Sequence, residues 1–129
     1  MIAFAKKERI ISVLIILNFL IGLAVGWSVT AGIRGGLAAR YDVWRGHYYD
    51  LAYGLPTQER PESARLLKER YGIEMRAIAY CTVSQTERWY ADGYDKVSNA
   101  AANRKFGHDV IEECWRDAHQ KLLASKHMP

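Results

Sequence analysis

What the chain lacks narrows its chemistry before anything it contains. Its 129 residues include only two cysteines, Cys81 and Cys114, in no CxxC, CxxCH or Cys/His spacing suited to zinc. No G-x-S-x-G and no Cys/His protease signature signals a nucleophile. There is no internal repeat and no low-complexity stretch. A concentrated basic patch is also missing. The formal net charge is +4, and the N-terminal Lys6, Lys7 and Arg9, with Glu8 among them, hold half of it. Elsewhere acids and bases interleave. A nucleic-acid binder gathers its charge into a patch or stripe, so nucleic acid is not an expected partner.

What is present is an uninterrupted apolar run. Residues Ile10 to Ile33 carry no charge, and about 24 residues at 1.5 Å rise reach roughly 36 Å, against a hydrocarbon thickness of about 30 Å. Trp27 near the far end suits a membrane interface. The organisation read from this is a basic flank over 1–9, a transmembrane anchor or signal segment over 10–33, and a small domain over 37–129. The run exceeds the 7–15 residues of a signal-peptide h-region, so the reading is an uncleaved single-pass anchor. The rival is a cleaved signal peptide, with Val29-Thr30-Ala31 offering a small residue before the cut. The basic flank predicts a cytoplasmic N-terminus and an extracytoplasmic domain; Arg34, Arg40 and Arg45 beyond the run weaken that bias. Gly22 and Gly26 form a G-x-x-x-G, a spacing that lets membrane helices approach closely and dimerise.

The remainder predicts a mainly α domain of about four helices with one short strand. Gly32, Gly35 and Gly36 predict a loosening between anchor and domain. A helix is expected from Leu37 to Tyr53, with Leu37, Tyr41, Trp44, Tyr48 and Leu51 on one buried face; the other use of those rings is to rest against lipid headgroups. Gly54-Leu55-Pro56 ends it. A second helix spans Pro61 to Tyr71 and stops at Gly72. Ile73 to Tyr80 alternates as a strand does, yet no partner strand is evident, and a lone strand leaves its backbone groups unsatisfied. Ser84 and Glu87 make a capping box opening a helix to Lys105, and Asp109 with Glu112 opens the last, to Ser125. These two read as a helical hairpin.

Candidate chemistry is sparse. His47 and Asp50, three residues apart, are half of an acid–base arrangement. His108 and Glu112, one turn apart, have metal-ligand spacing but lack a third and fourth ligand. Asp109, Glu113 and Asp117 form a ladder that reads as a solvated face, as do Asp95, Asn99, Asn103 and Arg104. Cys81 and Cys114 are either one disulfide or two buried thiols. No cofactor is expected. The function expected is non-enzymatic: protein contacts at an extracytoplasmic membrane face, with a second copy or another envelope protein as partner. The alternative is a small secreted or periplasmic enzyme or metal binder.

Overall fold

The computed structural model describes residues 2–126, with side chains from residue 8 onward. Residues 127–129 lie outside that description, as do the side chains of Lys6 and Lys7 in the basic flank. The described residues form five helices and one two-stranded parallel sheet, in the order α1 (Ile2–Val29), α2 (Ala31–Trp44), β1 (Tyr49–Ala52), α3 (Arg60–Tyr71), β2 (Glu74–Ala77), α4 (Gln85–Phe106) and α5 (Val110–Lys126). The fold is mainly helical, as its periodicities imply. Two compact units divide between Thr30 and Ala31.

The first unit is α1. Its stretch Glu8–Val29 is long and apolar enough to cross a membrane, and none of it is buried. The polar side chains inside it return to the helix's own carbonyls: Ser12 Oγ to Glu8 O at 3.0 Å, Asn18 Nδ2 to Leu14 O at 3.0 Å, Ser28 Oγ to Ala24 O at 3.2 Å. That satisfies groups which hydrocarbon would not. Gly22 and Gly26 have open space around them within the chain.

The second unit contains the first correction. Gly32, Gly35 and Gly36 are not a linker; they lie inside α2. The buried face of that helix is its smallest one, Ala31, Gly35 and Ala39. It lies against α4 so closely that a Cβ on Gly35 would stand 2.0 Å from the Tyr90 carbonyl oxygen, and one on Gly93 2.1 Å from that of Gly32. Backbone touches backbone here.

The expected helix over Leu37–Tyr53 is also corrected. It stops at Trp44, where Gly46 takes φ 81° and its N–H donates to Val43 O at 2.9 Å. Tyr49–Ala52 is then strand, and it is the partner missing from the sequence reading. It pairs in parallel with β2 in the register Tyr49↔Glu74 to Ala52↔Ala77. The expected face therefore splits. Leu37, Tyr41 and Trp44 are exposed, whereas Leu51 is buried.

Packing runs α2–α4–β1–β2–α3–α5. One cluster (Ala39, Leu51, Ala91, Tyr94) lies at the α2–α4–β1 end. The other gathers Leu66, Leu67, Ile73, Val110, Cys114 and Ala118, with Ala102 of α4. The hairpin expectation needs amending, since α5 packs mainly on α3 and α4 mainly on α2. The start signals hold: Pro61 opens α3, Gly72 closes it at φ 68°, and the Ser84–Glu87 capping box is formed. The disulfide is not: Cys114 is buried in the core, Cys81 is exposed in the loop after β2, and both are free thiols.

Gly35→Ala should destabilise the purified full-length chain by about 1–3 kcal/mol or more, the usual cost of forcing atoms into a filled space. That corresponds to a melting temperature lower by roughly 4–8 °C per kcal/mol. Gly22→Ala, with nothing near it, should leave the melting temperature unchanged. Equal melting curves for the two variants in thermal denaturation would contradict the close crossing.

Candidate functional site

The densest polar arrangement lies where α4 meets β1. In a parallel pair each strand uses alternate backbone groups toward its partner, so Tyr49 O and Leu51 N–H turn away from β2. Side chains of α4 meet both. Ser98 Oγ donates to Tyr49 O at 2.6 Å, and Leu51 N–H donates to Asp95 Oδ1 at 2.7 Å. One turn of helix thus serves as a third strand. Asn99 Nδ2 donates to Asp50 Oδ1 at 3.3 Å. Around this seam, Tyr94 Oη donates to Asp42 Oδ2 at 2.6 Å and Tyr53 Oη to Asp92 Oδ1 at 2.8 Å. Arg60 holds the Tyr53 and Gly54 carbonyls at 3.1 and 3.2 Å.

Asp50 is therefore buried, with the half-buried Asp95 beside it. Asp50 is 9% exposed; burial pushes its carboxyl above the usual range, with Asn99 and Arg60 pulling the other way. Burial lifts Asp95 to about 7; Leu51 N–H opposes the rise, and the charges of Asp50 and Asp92 add to it. Both carboxyls keep their protons to higher pH than an exposed aspartate does.

The nominated sites fare differently. His47 stacks on Tyr49, ring centroids 6.1 Å apart, and does not bond Asp50, whose partner is Asn99. A spacing of three suits one face of a helix, but the helix ends at Trp44; His47 lies in the connection and Asp50 in β1. His108 sits with Glu113, not Glu112: its Nε2 is 2.7 Å from Glu113 Oε2 and 3.1 Å from Tyr71 Oη. Glu112 lies in the first turn of α5, its N–H donating to Asp109 Oδ1 at 3.0 Å. The acidic ladder is divided in use: Asp109 caps, while Glu113 and Asp117 hold Arg70 at 3.2 and 2.6 Å. Among the described residues no three His, Cys, Asp or Glu side chains gather as a metal site. Asp95 and Asn99, expected on a solvated face, turn inward, and Asn103 Oδ1 accepts the Val110 N–H at 3.2 Å.

Of two surface features, the aromatic face was expected mainly as core, with surface use as its second reading, and the groove beside it was not foreseen. With its small face taken by α4, α2 presents Ile33, Leu37, Tyr41 and Trp44 to the outside, Trp44 at 80% exposure. Beside Trp44 a groove of about 520 Å³ runs over Val97, Ala100 and Ala101, flanked by Arg40, Lys96 and Arg104. The clue to both was available: when Gly and Ala repeat at four-residue steps, they compete with the aromatics for the buried face.

No protein-family model matches this chain, and no curated protein or solved structure is similar to it.

Asp50 and Asp95 make stability depend on pH. Unfolded, Asp95 releases its proton near the ordinary 3.8; folded, it keeps it to about 7. The folded state thus binds more protons between those values, so its contribution is complete below about pH 4 and is lost as pH rises through 7. The melting temperature of the full-length chain should fall by several degrees from pH 5 to pH 8. Asp95→Asn, which keeps an oxygen for Leu51 N–H, should flatten that slope. A wild-type profile already flat over this range would show that Asp95 ionises normally.

Proposed function

We propose that this chain is a single-pass membrane protein, its N-terminus cytoplasmic, whose small helical domain acts through protein contacts on the extracytoplasmic side. Four observations support the reading: an apolar span with no buried face, basic residues ahead of it, balanced charge beyond it, and the α2 stripe. The stripe carries it. Ile33, Leu37, Tyr41 and Trp44 lie at helical spacing on a well-packed domain and are exposed, none of the described residues covering them. Contiguous exposed apolar surface of this kind marks sites of association, and Tyr and Trp are favoured residues at interface centres. The enzyme or metal-binder alternative draws no support from His47 and Asp50 or from His108 and Glu112, which the fold does not pair.

A photo-cross-linking residue in place of Leu37 or Trp44, in the full-length chain in its native membrane, should form protein adducts. One in place of the exposed Lys68 on α3 should not. Adducts to lipid alone, or none, at Leu37 and Trp44 would overturn the contact reading. Intact mass of the membrane-fraction protein should be full length. A soluble product lacking about the first 26 to 31 residues would instead make α1 a signal peptide.

A further inference from the structure

Among the described residues, the two-stranded sheet has one edge with no neighbouring strand. The inner edge of β1 is taken by Asp95 and Ser98, and its other edge by β2. On β2, the Glu74 N–H donates to Tyr48 O at 3.1 Å and the Ile78 N–H to Ala52 O at 2.9 Å. The alternation of a strand then turns the N–H and C=O groups of Met75 and Ala77 outward. Among the described residues no hydrogen bond takes the N–H of either. Glu74, Arg76 and Ala77 are exposed along this edge. Such an edge is a template for another strand.

The residues on the edge say which strand. Glu74-Met75-Arg76 complements itself when reversed. If two copies meet antiparallel about a two-fold axis through Met75, each Met75 lies opposite the other, where two residues exchange N–H···O bonds. Glu74 then faces Arg76 of the second copy, and Arg76 faces its Glu74, at the closer positions with Cα atoms about 4.5 Å apart. Opposite charges directly across strands stabilise, and like charges destabilise. Within one chain the Arg76 guanidinium lies over the Tyr49 ring, 3.5 Å from its centroid, with about half of the side chain still exposed. Its ion pair with Glu74, Nη2 to Oε2, is 3.7 Å long, and exposed pairs of that kind contribute little. An arrangement in which the same patch serves both partners closes as a dimer.

We propose that β2 pairs with β2 of a second copy of this chain, antiparallel and centred on Met75. The edge is short, so the pairing is weak for free domains. Tethering two copies in one bilayer through α1, on the membrane reading above, supplies the effective concentration that makes it sufficient. This dimer uses a different surface from the α2 stripe.

The test uses the full-length chain in native membranes, with Cys81→Ser to remove the exposed thiol. Met75→Cys should form a disulfide-linked dimer under mild oxidation, because the two residues meet on the axis. Ala77→Cys should not, because its opposite number is Ile73 of the second copy. In the Met75→Cys background, Glu74→Arg or Arg76→Glu alone should lower the linked fraction roughly fivefold, on the scale of two cross-strand pairs turned repulsive. The double exchange should restore it. Equal linking at 75 and 77, or a double exchange that does not restore, would overturn the register and with it the proposal. If Met75→Cys does not fold, energy transfer between C-terminally labelled full-length chains reads the same charge series. No response to either single charge change would again overturn it. Such a failure, with protein adducts at Leu37 intact, removes the dimer and leaves the contact reading standing.

Discussion

The second unit depends on one close approach, the crossing of α2 and α4 at Gly32, Gly35 and Gly93. With a Cβ-to-carbonyl separation near 2 Å at two of these positions, no side chain larger than hydrogen fits without moving a helix. Glycine costs about 1 kcal/mol in a helix interior, and that cost is offset by backbone-to-backbone packing over neighbouring Ala31, Ala39 and Ala91, all fully buried. Everything downstream inherits the geometry. Tyr94 reaches Asp42 across the crossing, and one further turn brings Asp95, Ser98 and Asn99 to β1.

That turn of α4 explains how so small a sheet persists. A two-stranded parallel sheet leaves both outer rows of backbone groups without partners, and burying them unpaired is costly. Side chains of α4 complete one row, so β1 can sit inside the domain. A carboxylate is a good acceptor for the Leu51 N–H, but desolvating the buried Asp50 and the half-buried Asp95 raises the affinity of both for protons. The second cluster, around Leu67, Ile73 and Val110, is conventional by comparison: apolar side chains from α3 and α5 cover the other end of the sheet.

The same crossing sets the surface. A helix buries one face, and α2 has given that face to its smallest residues. Its aromatics are left outside for a structural reason, not by accident of sequence. The polar candidates are redistributed likewise: His108 joins Tyr71 and Glu113, Arg70 bridges Glu113 and Asp117, and His47 lies on Tyr49. Each becomes part of a packing or ion-pair arrangement linking α3 to α5 or flanking the sheet.

The amino-acid sequence by itself determined the features that depend on neighbours along the chain. The apolar span, the Pro61 start and Gly72 stop of α3, the Ser84–Glu87 box and the two last helices follow from local hydrogen bonding, φ preferences and helical periodicity. Only the tertiary structure decided the rest. Periodicity shows that a helix has an apolar face and a small face, but not which one a partner will cover; here close backbone packing won. Four residues, Tyr49–Ala52, fit the end of a helix or a strand equally well, and became strand because Glu74–Ala77 and α4 supply partners for their backbone. Which acids turn inward followed from that choice, since Asp50 and Asp95 have their carboxyl pKa values raised only when elements distant in the chain bring them together.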